Sequence, residues 1–122
     1  MEKSSQKPAV NRNVEKIGYA CEILKKEMAS PPHKQELTSR VGLNEKQLVD
    51  GFKEYLGMYP SEYLRSIRLE RARNMIASLE YNITEAAFSV GYSSLSHFTK
   101  AFYDKYGINP KAFAQSKKSI KK

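Results

Sequence analysis

The sequence predicts an all-α protein of about seven helices without strands. Three observations carry this prediction. Apolar residues recur at intervals of three and four, as they do along one face of an α-helix. Glycine and proline separate these segments, and no stretch alternates apolar and polar residues long enough to indicate a sheet. With 40% hydrophobic residues in 122, the chain can build one compact domain or two small lobes.

The first periodic segment begins at Val14 and ends before Pro31-Pro32, since proline lacks the amide donor and disfavours helix in the residue before it. Residues 1–12 show no such period and are predicted to form a flexible lead-in. The apolar residues of this segment form a stripe that is expected to be buried: Val14, Ile17, Cys21, Leu24 and Met28. The thiol of Cys21 is therefore expected to be packed and inert.

Shorter segments follow, separated by Gly42 and by the run 57–60, and the basic residues 116–122 are expected to form a frayed tail. The domain 13–115 divides into lobe one (13–60), a linker helix (61–78) and lobe two (79–115). The predicted helices after the first are 33–40, 44–56, 61–78, 84–90, 94–106 and 110–115.

Charge and composition narrow the class of protein. The net charge of +8 favours a polyanionic partner, either nucleic acid or an anionic membrane surface. No stretch approaches the roughly 18 apolar residues of a membrane helix, and the polar start does not indicate a secretory signal. Because Cys21 is the single cysteine, no internal disulfide can form, and the cytoplasm is the expected compartment.

A supersecondary unit occurs twice in the chain, with the second copy about 50 residues after the first. The matching positions are 49 residues apart up to Gly91 and 50 apart from Phe98 onward, because the second copy has one additional residue between these two. The first copy carries Glu36, Val41, Gly42, Leu48, Phe52, Gly57, Pro60 and Tyr63, and the second carries Glu85, Val90, Gly91, Phe98, Phe102, Gly107, Pro110 and Phe113.

Each copy is predicted to be a short helix, a glycine-centred turn and a longer helix. Gly91 can adopt the positive φ that a tight turn between helices requires. Asn44 in the first copy, and Ser93 or Ser94 in the second, can cap the helix that follows. This is the helix-turn-helix arrangement, in which the second helix enters the major groove of DNA.

Two segments, VGLNEKQLVDGFKEYLGMYPSEYLRSIRLERARNMI and ITEAAFSVGYSSLSHFTKAFYDKYGINPKAF, resemble the DNA-binding domain of the AraC/XylS family of bacterial transcription regulators. The second follows the family's pattern: a helix with small residues, glycine and an aromatic residue, phenylalanine in the recognition helix, then Gly-x-x-Pro. The resemblance extends from about Val14 to Phe113. It implies two homeodomain-like helix-turn-helix lobes joined by one long helix, and sequence-specific control of transcription.

Helical geometry predicts which residues face DNA. In the first recognition helix, Leu48, Phe52, Tyr55 and Leu56 share one face, which is expected to be core. In the second, Phe98 and Phe102 define the buried side. The candidate DNA-contacting residues lie on the opposite face of each helix or at its edges. Ser94, at a helix start, and Arg65, on the linker helix, are added to them. The full set is Lys46, Gln47, Val49, Asp50, Lys53, Arg65, Ser94, Ser96, His97, Thr99, Lys100 and Tyr103.

The chemistry of these side chains suits base recognition. Lysine donates to guanine, glutamine pairs with adenine, serine serves either role, and Val49 or Thr99 can contact a thymine methyl group. Asp50 departs from the family pattern, because a carboxylate is repelled by phosphates unless it accepts from cytosine N4 or pairs with Lys46 one turn earlier.

The linker helix is rich in arginine. Some of these arginines are expected to hold phosphates and others to pair with Glu62 or Glu70, and the sequence does not sort them. The four are Arg65, Arg68, Arg71 and Arg73.

Other classes of function find less support. The sequence holds no catalytic motif, no cofactor loop and no cluster of metal ligands, so neither catalysis, nor a cofactor, nor a metal is expected. The expected partners are double-stranded DNA and RNA polymerase, without a membrane. This segment is expected to be a monomer, with a dimer possible through a domain outside it. The alternatives are a helical protein-interaction adaptor and a non-specific DNA binder.

Overall fold

The computed structural model describes the backbone of residues 2–121 and the side chains of residues 13–119. Those described residues form seven α-helices and no strand, which confirms the predicted all-α fold. None of the described helices is both long and apolar enough to cross a bilayer. The helices are α1 (Glu2–Lys26), α2 (Lys34–Val41), α3 (Glu45–Leu56), α4 (Pro60–Ala77), α5 (Ile83–Ser89), α6 (Leu95–Tyr106) and α7 (Pro110–Lys121).

The two terminal helices are longer than predicted. Helix α1 begins at Glu2 rather than at Val14. The side chains of residues 1–12 lie outside the described residues, so the flexible lead-in stays a prediction. Helix α7 continues to Lys121, although the sequence predicts an end near Gln115 and a frayed tail. The reason is that neither glycine nor proline follows Pro110, while alanine, glutamine and lysine all favour helix.

The chain divides into two compact units, Met1–Leu64 and Arg65–Lys122. The boundary falls inside α4, which contributes residues 60–64 to the first unit and residues 65–77 to the second. Proline is the first residue of α4 and of α7, where its missing N–H would have no partner within the helix anyway.

In the first unit, α1 packs against α2 and α3. Phe52 and Leu48 of α3 are fully buried, as the helical period predicts. Two predicted core residues are exposed, Leu56 at 37% and Val14 at 41%, and Tyr55 is only half-buried. Leu56 is the last residue of α3, where fewer neighbours cover the helix. Cys21 is half-buried, and this burial raises the pKa of its thiol, which fits the expected inert role.

In the second unit, α6 packs against α5 and α7. Phe98 and Phe102 are completely buried, with their ring centroids 5.7 Å apart. Tyr92 meets Phe98 edge-on at 5.3 Å, and Phe113 of α7 lies 5.7 Å from Phe102. These tilted and edge-on contacts are the arrangements that aromatic rings prefer, so they fix α6 tightly within the unit.

We expect Gly51→Ala to destabilise the first unit by about 1–3 kcal/mol, as overpacking does in a filled core. A Cβ at Gly51 would lie 2.5 Å from Cδ1 of Ile17, whose side chain is itself buried. Urea unfolding measures the change.

The matched control is Gly18→Ala, since a Cβ there meets nothing within 4 Å on an exposed part of α1. This variant should gain about 0.5–1 kcal/mol from helix propensity. Equal stability of the two variants would contradict close packing of α1 on α3.

Candidate nucleic-acid interface

The turn between α2 and α3 contains a left-handed glycine. Gly42 has φ 76°, and its N–H donates to the carbonyl oxygens of Thr38 and Ser39. The Nζ of Lys16, on α1, donates to the carbonyl oxygen of Gly42 at 3.2 Å. The side chain of Lys16 therefore ties the turn to α1, and α3 starts from a fixed place.

Helix α3 begins with a reciprocal cap. The Oδ1 of Asn44 accepts from the N–H of Gln47 at 2.8 Å, and the Oε1 of Gln47 accepts from the N–H of Asn44 at 3.0 Å. A pairing of Gln47 with adenine uses its amide oxygen and nitrogen together. Because the oxygen is already occupied, the structure gives Gln47 a capping role that the sequence prediction missed.

The second copy is capped differently, with its reciprocal cap on its first helix rather than on its second. Asn82 and Glu85 form the reciprocal cap at the start of α5. Ser94 caps α6, its hydroxyl accepting from the N–H of His97 at 3.2 Å, so Ser94 rather than Ser93 is the capping residue. Gly91 has φ 113°, which confirms the predicted positive φ at the turn.

On α3, the predicted groove face is exposed. Lys46, Asp50 and Lys53 are exposed, whereas Val49 is half-buried and lines an apolar cavity of about 340 Å³ in the first unit. The Nζ of Lys53 lies 4.5 Å from the centre of the Tyr59 ring. Because Val49 lines this cavity, its side chain faces partly toward apolar residues of its own unit.

An ion pair joins two of these α3 residues. The Nζ of Lys46 donates to the Oδ2 of Asp50 at 2.7 Å, which confirms the predicted pairing one turn apart. The hydrogen bond to Asp50 raises the pKa of Lys46. In the free protein, the carboxylate of Asp50 thus already has a positive partner.

On α6, Ser96, His97, Lys100 and Tyr103 are exposed and Thr99 is half-buried. The Nζ of Lys100 donates to the Oδ2 of Asp104 at 3.3 Å. No partner for Lys100 is predicted from the sequence, although Asp104 follows it by four residues, which is the spacing of an ion pair within a helix.

The arginines of α4 separate by their surroundings. Arg65 and Arg71 are exposed. Arg68 is half-buried, its guanidinium carbon is 5.9 Å from the centre of the Tyr92 ring, and burial lowers its pKa. Arg73 lies over the ring of Tyr106 at 5.2 Å. Arg68 and Arg73 thus contribute to packing within the second unit, as cation–π contacts do.

Glu62, one of the two expected acidic partners of these arginines, has a different partner. The Oε1 of Glu62 accepts from the backbone N–H of Tyr59 at 2.7 Å, which caps the start of α4. Among the described side chains, no group of three or more His, Cys, Asp or Glu residues is placed to hold a metal ion.

Comparisons with known proteins agree with this geometry. A family profile described as a helix-turn-helix domain matches residues 37–116. The chain is similar to the HTH-type transcriptional regulator ArgR of Pseudomonas aeruginosa, with 31% identity over 96 residues, or 79% of this chain and 29% of ArgR. It is also similar to the HTH-type transcriptional regulator GbdR of Pseudomonas aeruginosa, with 30% identity over 105 residues, or 86% of this chain and 29% of GbdR. The chain thus spans 29% of the length of either relative.

A solved structure has the same fold. It is a transcriptional regulator from Chromobacterium violaceum, described among AraC-type DNA-binding domain-containing proteins. The TM-score is 0.79 and the identity 27%, and the match covers 84% of this chain and 92% of that one.

The cap at the start of α3 leads to a stability prediction. We expect Gln47→Ala to lower the free energy of unfolding by about 0.5–1 kcal/mol, because the N–H of Asn44 loses its acceptor. Gln47→Glu should retain full stability, since Glu85 accepts from the capping residue's N–H in the same way at the start of α5. Urea unfolding of both variants, compared with the unchanged chain, measures the difference. Equal stability of the alanine and glutamate variants would refute the capping role.

Proposed function

Because this chain belongs to the AraC/XylS family of helix-turn-helix transcription regulators, we propose that it binds double-stranded DNA sequence-specifically, with α3 and α6 each entering the major groove. The observation that carries the proposal is the repeated helix-turn-helix, in which both second helices are capped and expose a polar face. A chain of net charge +8 is attracted to phosphates whatever their sequence, so the exposed faces must supply the discrimination.

The two helices contribute unequally in this proposal. On α6, Ser96, His97 and Lys100 carry most of the discrimination, with Lys100 leaving Asp104 to donate to guanine. On α3, the polar face includes the carboxylate of Asp50, which phosphates repel. The first unit is therefore the weaker reader of sequence, and discrimination rests mostly on α6.

Further properties of the whole regulator follow as proposals. Relatives of this chain are transcriptional regulators, so we expect no catalysis and no cofactor. RNA polymerase is the expected protein partner, and the cytoplasm the expected compartment. We expect this segment to be a monomer, with a dimer possible through a domain outside it.

Selection of bound sequences from a randomised duplex pool tests the function. We expect a defined motif, and Lys100→Ala should weaken binding to it by about 1–3 kcal/mol and relax one or two base positions. Arg65→Ala is the matched variant, because an exposed α4 arginine on phosphate should weaken binding to all sequences alike. An adaptor would enrich no DNA, and a non-specific binder would enrich no motif.

Asp50→Ala tests the weak role of the first unit. In the complex Lys46 turns from Asp50 to the DNA, so the carboxylate that it neutralises in the free protein is left without its partner beside phosphates. Removing this carboxylate should strengthen binding to specific and random duplexes alike, more at about 50 mM than at about 200 mM salt. Fluorescence anisotropy on both duplexes at both salt concentrations measures this effect.

The control is Glu22→Ala, which changes the charge equally but removes an exposed carboxylate of α1 instead. It should have a smaller effect than Asp50→Ala. Weaker binding of the Asp50 variant to the specific duplex alone would instead identify Asp50 as a reader of cytosine.

A further inference from the structure

Helix α6 carries an outward apolar stripe beside its polar face. Leu95, Thr99 and Tyr103 follow one another at intervals of four residues, so their side chains line one shoulder of the helix. Leu95 is 39% exposed and Tyr103 56% exposed, while Thr99 between them is half-buried. The α6 stripe, as we call these three residues, therefore remains accessible in the folded unit.

The core of the second unit does not account for this stripe. Phe98 and Phe102 fill the inward side of α6 and are completely buried. Leu95 is the first residue of α6, next to the capping Ser94, so it lies at the end of the helix that approaches base edges first in a helix-turn-helix. A large apolar side chain at this place points to an apolar feature of the partner.

The first copy has no such stripe. The equivalent positions of α3 hold Glu45, Val49 and Lys53, two of which are charged. Glu45 accepts from the Nζ of Lys34 at 2.9 Å, and Val49 lines the apolar cavity of its own unit. The apolar stripe is therefore specific to α6 and does not come from the repeat itself.

The major groove offers one apolar group on its base edges, the C5-methyl group of thymine. We propose that the α6 stripe reads thymine methyl groups, with Leu95 making the principal contact and the methyl group of Thr99 extending it. Tyr103, further along the stripe, presents both a ring and a hydroxyl. The second unit thus selects base pairs by their methyl groups as well as by hydrogen bonds from Ser96 and Lys100. This inference rests on the proposed function and specifies what α6 recognises.

Uracil substitution isolates the methyl group, because uracil keeps every hydrogen-bonding atom of thymine and lacks only C5-methyl. In the selected duplex, each thymine is replaced in turn by uracil, and affinity is measured by fluorescence anisotropy at one salt concentration. We expect the unchanged protein to lose about fourfold in affinity at one or two positions, which is the value of one buried methyl group. Leu95→Ala should bind the thymine and uracil duplexes equally well at a position where Leu95 makes the contact.

Two further variants distinguish a lost contact with the thymine methyl group from a general loss of folding. Leu95→Met keeps a long apolar side chain and should retain the preference for thymine. Leu56→Ala removes a comparably exposed leucine from the far end of α3 and should also retain it. Circular dichroism of each variant checks that the helices are intact.

The outcomes distinguish this inference from the function on which it rests. If a motif is selected but every uracil duplex binds as tightly as its thymine parent, the methyl contact is wrong and sequence-specific binding stands. If Leu95→Ala still prefers thymine by the same factor, the assignment to Leu95 is wrong. If no motif is enriched from the random pool, the proposed function fails and the inference fails with it.

Discussion

The burial of a few large side chains decides how each recognition helix is rotated about its own axis. Leu48 and Phe52 fix α3, and Phe98 and Phe102 fix α6, all at 1% exposure or less. Since neighbouring residues on a helix are 100° apart, fixing one face fixes the direction of every other residue. The outward positions of Lys46, Ser96 and Lys100 are thus set by core packing. A rotation that brought other residues outward would expose phenylalanine to water, which costs about 1.5–3 kcal/mol for each ring.

This dependence explains why so much was predictable from the sequence. The spacing of apolar residues gives the helices and their buried faces, and the repeat gives the helix-turn-helix twice. Errors concentrate at helix ends. Leu56 is exposed because it closes α3, and α7 runs on to Lys121 because nothing in its sequence ends it. Periodicity describes the middle of a helix, and at an end the local covering by neighbours decides burial.

Side-chain partners were less predictable than faces. Gln47 lies on the predicted shoulder, yet its amide oxygen satisfies a backbone N–H at the helix start. The partners of Arg68 and Arg73 are tyrosines distant in sequence, so the pattern of α4 alone does not reveal them. The pairs Lys46–Asp50 and Lys100–Asp104 follow from spacing within one helix. Local pairs can thus be inferred from sequence, whereas contacts between helices need the fold.

The close contact between Gly51 and Ile17 has a mechanical consequence. With no gap between α1 and α3 at this point, a displacement of α1 toward α3 is not absorbed by repacking. The Lys16 side chain adds a second attachment, from the same helix to the turn that precedes α3. Helix α1 is thus fixed to α3 at two points, and a displacement of α1 would be passed on to α3 rather than lost between them.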